Sequence, residues 1–252
     1  MKLPITLVVI TLNEAHNIER CLQSASELCA EMLVVDSQSE DKTCEIAQRL
    51  GARVLQKSWM GFGPQKRWAT EQAQNDWILS LDADETLSPE LEQEIRTKFK
   101  QLQKEIAYEM PRKSFHLGRW IGHGGWYPDY QTRFFHRQFS NWPDASIHER
   151  VQSQRLEKLE SPILHYVFKN LSDQVRTNDR YSGLLAEKDF KSGKSFSMIK
   201  LILKPWSKFF ECYFLKLGLL DGLPGFLIAV SASYSIFLRW AKIWELERRN
   251  DN

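Results

Sequence analysis

The run Ile5-Thr6-Leu7-Val8-Val9-Ile10 is rich in β-branched residues and almost uniformly apolar. A strand with one wet face alternates apolar and polar residues. An unbroken run instead requires burial on both faces, the situation of a parallel sheet covered by helices. Thr11-Leu12-Asn13-Glu14 follows, and then Ile18, Cys21, Leu22 and Ala25 at helical spacing. The unit recurs. Met32-Leu33-Val34-Val35 ends in Asp36-Ser37, and Asp41-Lys42-Thr43 opens a helix carrying Ile46, Ala47 and Leu50, with Gly51 a C-terminal cap. Ala52 to Leu55 reads as a third strand and Trp77 to Leu81 as a fourth. Such alternation predicts a doubly wound α/β sheet, whose ligands bind beyond the carboxyl ends of the strands. Those ends are Asn13-Glu14, Asp36 and Asp82-Ala83-Asp84-Glu85.

With 252 residues, 42% hydrophobic, 26% charged and only 12 Gly and 9 Pro, the chain is globular, not disordered or fibrous. Its 34 Lys and Arg against 32 Asp and Glu give a charge of +2, too balanced for nucleic-acid binding through bulk charge, and no RNA-binding motif is present. Cys21, Cys29, Cys44 and Cys212 have neither C-x-x-C spacing nor histidines at metal-ligand intervals, so a reduced cytoplasmic chain is expected. The opening Met1-Lys2-Leu3-Pro4 leads too soon into polar residues for a signal peptide.

The texture changes along the chain. Ser88-Pro89-Glu90 starts a charged helix reaching about Gln103, and 113–142 is rich in Trp, Tyr, His and Gly. From about Lys188 lysines dominate. Lys200, Lys204 and Lys208 share one helical face with Ile199, Leu203, Trp206 and Phe210 interleaved, and Pro205 should kink that helix. Gly222 to Leu238 carries no charge, yet falls just short of the ~20 apolar residues of a membrane span. An interfacial helix on an anionic leaflet fits this stretch best; a buried helix pair and a true span are the alternatives.

The sharpest chemical feature is Leu79-Ser80-Leu81-Asp82-Ala83-Asp84-Glu85, a strand emptying into D-x-D. Two carboxylates at this spacing suit a hard divalent cation that takes its remaining ligands from a diphosphate. A solvated acidic loop before the Ser88 helix is the plainer reading. Asp36 suits hydrogen bonds from a base or ribose, or else a turn or helix cap.

In combination these residues resemble the inverting family 2 glycosyltransferases of GT-A fold. Val9-Ile10-Thr11-Leu12-Asn13-Glu14, the segment Val34 to Thr43, and Leu81 to Glu85 match the family's three nucleotide-sugar motifs in order and spacing. The whole chain is similar to bacterial lipopolysaccharide core β-glucosyltransferases through Gly61-x-Gly63-x-Gln65-Lys66, Gly125-Trp126-Tyr127-Pro128, Ile147-His148-Glu149-Arg150 and the segment Gly218 to Gly225.

The resemblance implies a GT-A domain over 1–187, with a nucleotide-sugar half at 1–105 and an acceptor half at 106–187, and a membrane-apposed helical extension at 188–252. Thr11, Asn13, Glu14, Asp36, Lys66, Asp82 and Ala83 would hold a UDP-hexose, and Asp84, with Asp82, a Mg²⁺ or Mn²⁺ ion. An inverting transferase needs one general base. No acidic pair follows Glu105 in the family's usual place, so Glu149 is the candidate by position, with Asp129 in reserve; an ion pair from Glu149 to Arg150 or Arg133 is the alternative.

Trp126, Tyr127, Arg133 and His148 are the expected acceptor contacts, since sugars stack on aromatic rings and a phosphorylated acceptor pairs with arginine. The function implied is transfer of a single glucose from UDP-glucose to a heptose of lipopolysaccharide inner core, a lipid-linked acceptor met at the cytoplasmic face of the inner membrane. Rival readings are sugar transfer to polyprenyl phosphate and a noncatalytic membrane adaptor that keeps the nucleotide-binding fold.

Overall fold

The computed structural model describes residues 1–143 and 150–250. Among the described residues there are ten strands, β1 (Leu3–Thr11), β2 (Cys29–Asp36), β3 (Arg53–Gln56), β4 (Trp77–Asp82), β5 (Glu85–Leu87), β6 (Ile106–His116), β7 (Arg119–Trp120), β8 (Asp129–His136), β9 (Arg155–Lys158) and β10 (Ile163–His165). The helices are α1 (Ile18–Ala25), α2 (Thr43–Arg49), α3 (Phe62–Glu71), α4 (Pro89–Lys98), α5 (Leu171–Lys191), α6 (Met198–Phe210) and α7 (Gly222–Asn250). The chain divides into two compact units, one of 1–112 with 129–165 and one of 113–128 with 166–252.

The first unit holds the doubly wound half expected from the sequence. Strand order is β3-β2-β1-β4-β8-β6-β10-β5, and β3, β2, β1 and β4 are mutually parallel. β8 then runs antiparallel to β4, and β6 antiparallel to β8, which makes the sheet mixed. β1 buries both faces: Leu7 and Val9 join one core cluster with Leu22 and Leu91, while Val8 joins another with Ile78 and Ala69. At ~1.5–3 kcal/mol for each large buried side chain, this two-sided packing fixes the register. Ser88 caps α4 by accepting from the Leu91 amide at 3.1 Å, with Pro89 in the first turn. Gly51 follows α2 at φ 81°, the left-handed conformation expected of a terminating glycine.

The second unit is helical, with α7 packed along both α5 and α6. α6 continues through Pro205 and widens into a π turn at Glu211–Leu215. The segment Gly218 to Gly225 gains a structural explanation. Buried Asp221 accepts from the amides of Gly122 (3.2 Å) and His123 (2.8 Å), and its own carbonyl accepts from Arg119 at 2.9 Å. A Cβ on Gly225 would lie 1.9 Å from the Gly218 carbonyl oxygen, so the turn before α7 closes only over glycine. The division expected near Lys188 falls inside α5, in the second unit. Residue charge changes there, but the helix continues to Lys191, and Asp189 pairs with Arg239 of α7.

Candidate active site

Register brings the expected residues of the first unit to one sheet edge. Thr11 pairs with Asp36 across β1 and β2, and Ile10 pairs with Asp82 across β1 and β4, so three polar strand ends lie side by side. Thr11 donates its hydroxyl to Asp36 at 3.0 Å, and Ser39 donates to Asp36 from its amide (2.8 Å) and its hydroxyl. Asp36 is fully buried as the hub of its own loop. Asn13, at φ 57°, and Glu14 brace that loop. The Asn13 amide donates to Ser39 and its side-chain oxygen accepts from the Glu40 amide, while the Glu14 amide donates to Thr43. Asparagine tolerates this left-handed backbone better than most residues.

Beyond β4 lies an alternating chain of charges. Lys66 Nζ, in α3, is 2.8 Å from one Asp82 oxygen, and Arg133, in β8, donates to the other. Arg133 also reaches Glu85 at 2.9 Å; Glu85 accepts from Arg112 at 3.1 Å; and Arg112 continues to Asp129 at 2.7 Å. Glu85 is fully buried and uses its second oxygen to accept from the Asp82 amide at 3.0 Å. Burial raises the Asp82 carboxyl, but Arg133, then Lys66 and Arg112, outweigh it and hold the group well below the usual carboxylate range. Arg133 is pushed the opposite way: burial lowers it, and Asp82 and Glu85 raise it further. Lys66 also sits 4.8 Å from the ring of buried Trp142.

These pairings place several of the residues expected from the sequence. Arg133, expected as an acceptor contact, is buried between Asp82 and Glu85 at the D-x-D end of the sheet. Both Asp82 oxygens are taken by cations, which leaves Asp84 as the motif's open donor. Opposite it stands a residue the sequence did not single out: His165 Nε2 lies 3.2 Å from Asp84 Oδ2. The antiparallel pairing of β10 with β5 sets His165 against Glu85 and thereby beside Asp84. Glu85 was likewise missed as the carboxylate that joins the two arginines. Ala83 is buried in the core.

Among the described residues no group of three or more His, Cys, Asp and Glu side chains forms a metal cage. Asp84, 31% exposed, and His165, 11% exposed, nevertheless offer a hard oxygen and an imidazole nitrogen from adjacent elements. The pair could supply two ligands to a divalent cation, whose charge would offset that of a bound diphosphate.

Asp129 has both oxygens engaged, one by Arg112 and the other by Gln131 at 2.9 Å. Glu149 and His148 lie outside the described residues. Trp126 and Tyr127 belong to the second unit, where Trp126 packs 5.5 Å from His116 and 6.2 Å from Phe168, and Lys113 sits 5.8 Å from the Tyr127 ring.

The chain is similar to known proteins along most of its length. The chain is 32% identical over 256 residues to an uncharacterized glycosyltransferase of Rickettsia bellii, spanning 96% of this chain and 86% of that one. It is 27% identical over 257 residues to the lipopolysaccharide core biosynthesis glycosyltransferase LpsC of Rhizobium meliloti, spanning 97% and 93%. Among solved structures, S. aureus TarS 1-349 in complex with UDP superposes with a TM-score of 0.50 at 16% identity, over 99% of this chain and 92% of that one, a likeness of fold. Residues 6–159 match the family described as Glycosyl transferase family 2. With its parallel strand ends, D-x-D turn and this match over more than half its length, the chain belongs to glycosyltransferase family 2.

Proposed function

We propose that the protein transfers one hexose, glucose from UDP-glucose, to a heptose of lipopolysaccharide inner core with inversion at the anomeric carbon, while apposed to the cytoplasmic leaflet of the inner membrane. The observation that carries the reading is the Asp84–His165 pair beside the Lys66–Asp82–Arg133 ion pairs at the carboxyl end of β4. The similarity to LpsC supports the acceptor class.

Asp84 and His165 would hold the divalent cation in this reading. A bound cation supplies neutralisation of the charge that develops on the departing diphosphate. Lys66 and Arg133 keep Asp82 ionised and orient the turn that carries Asp84. Thr11, Asn13, Glu14 and Asp36 shape the pocket for the nucleoside. Glu149 removes the proton from the acceptor hydroxyl as its oxygen attacks the anomeric carbon, and the bond to UDP breaks with its electron pair leaving on the diphosphate. Trp126, Tyr127 and His148 serve the acceptor.

A screen of nucleotide sugars against truncated lipopolysaccharide acceptors, reading product mass and anomeric configuration, tests the proposal. A β-linked glucosyl product from UDP-glucose is expected. Turnover only with polyprenyl phosphate, or inertness toward every nucleotide sugar in the presence of Mn²⁺, overturns it.

A further inference from the structure

The second unit carries a surface that sugar transfer does not account for. None of the residues of α6 is buried. Ile199, Ile202, Leu203, Trp206 and Phe210, between 53% and 71% exposed, recur at three- and four-residue intervals and so form one stripe along the helix. Aromatic contacts extend it: Phe210 stacks on Phe214 at 5.2 Å, and Phe209 meets both Phe214 and Phe226 of α7. An apolar stripe this exposed marks an interaction surface.

Beside it lies a cleft of about 380 Å³ between the end of α5, α6 and α7, lined by Lys194, Lys200, Lys204, Arg239, Asp189 and Trp240. Asp189 is committed to Lys194 (2.8 Å) and Arg239 (2.7 Å). Lys200 stands 5.1 Å from the ring of Trp240, and neither Lys200 nor Lys204 has a carboxylate within ion-pair distance among the described residues. Four cations therefore face one carboxylate. On the helical wheel Lys200 and Lys204 fall next to the apolar stripe, so an anion in the cleft and hydrocarbon under the stripe belong to one surface.

We propose that this cleft binds the phosphate of an anionic phospholipid while α6 lies in the plane of the membrane interface. The inference rests on the membrane-apposed reading above and adds to it a site and an orientation. The orientation follows from α7. The segment Gly218–Arg249, which contains nearly all of α7, is long and apolar enough to span, but α7 is tied to α5 by Asn178–Ser231, Asp189–Arg239 and Asp179–Lys242. Spanning would carry the charged residues of α5, among them Asp179, Arg180, Glu187 and Lys188, into hydrocarbon, where each is costly. Lying flat keeps α5 in water.

Flotation of the full chain with vesicles of phosphatidylcholine alone, or of phosphatidylcholine mixed with phosphatidylglycerol, tests this. Tighter binding to the anionic vesicles is expected. Lys200→Gln and Lys204→Gln should each weaken it about fivefold, and about 30-fold together, without changing the weak binding to neutral vesicles. Trp206→Ala should weaken both. Equal affinity for the two vesicle types, unchanged preference in the double variant, or resistance to alkaline extraction as a spanning protein overturns the proposal. So does a vesicle-free dimer that Leu203→Glu dissociates. Mn²⁺-dependent UDP-glucose binding, measured on the same proteins, separates failure of this site from failure of the transferase reading.

Discussion

His165 Nε2 lies 3.2 Å from Asp84 Oδ2, although the two residues are 81 positions apart. The contact depends on a three-residue ladder: β10 pairs with β5 directly after the D-x-D turn, and His165 is the last residue of β10. One end of a short antiparallel pair thus sets an imidazole beside the carboxylate that follows a parallel strand.

If this pair holds the cation, His165→Ala should lower Mn²⁺ affinity and transfer by about 10- to 100-fold, with Asp84→Asn at the upper end or beyond it. Titration of Mn²⁺ in the presence of UDP, followed calorimetrically, measures the first effect, and kcat at saturating metal the second. Transfer by His165→Ala that is indistinguishable from wild type at every metal concentration would remove His165 from the site.

The two aspartates of the motif should separate in stability. Lys66 and Arg133 side chains are each 5% exposed, and Asp82 answers both. Asp82→Asn strips a buried cation pair of its main partner, a change that costs about 3–5 kcal/mol when a buried ion pair is broken. Asp84→Asn should stay near the ±0.5 kcal/mol or so of solvent-facing substitutions. Denaturant midpoints of the two variants distinguish the roles; equal midpoints would show that the Asp82 network contributes nothing to the fold.

A similar separation applies to the proton acceptor. With Arg112 and Gln131 on its two oxygens, Asp129 is occupied as a structural anion. Glu149→Gln should therefore cost about 10²- to 10⁴-fold in kcat, the range of general-base catalysis, and Asp129→Asn far less. The reverse order would transfer the role to Asp129.

Thr11, Asp36 and Asp82 are legible one strand at a time, because a strand buried on both faces is an unbroken apolar run and its first polar residue marks the sheet edge. His165 gives no such signal. Ile163-Leu164-His165 is too short to show a period, and its partner strand is equally short. The ion pairs of Arg133 are hidden from the sequence for a related reason. It sits among aromatic residues in the sequence, but β8 folds back antiparallel to β4 and carries it to Asp82 and Glu85. The charge change near Lys188 reports exposure, while α5 runs on to Lys191 and meets α7 through Asp189 and Arg239.

Mild acidification should destabilise the chain through two buried histidines. Burial depresses the pKa of His116, against a hydrogen bond to Gln174 that raises it, and burial likewise depresses His136, against Asp76. The unfolded chain takes up protons at these positions below pH about 6.5, whereas the folded chain takes them up only at lower pH. Above that pH both states are neutral there and nothing is gained or lost. As pH falls through it the unfolded state binds more protons, so stability declines, by at most about 1.4 kcal/mol per pH unit for each histidine. Urea midpoints measured from neutral to mildly acidic pH should fall accordingly, and His116→Asn with His136→Asn should flatten the slope. A slope unchanged in the double variant would assign the acid sensitivity to other groups.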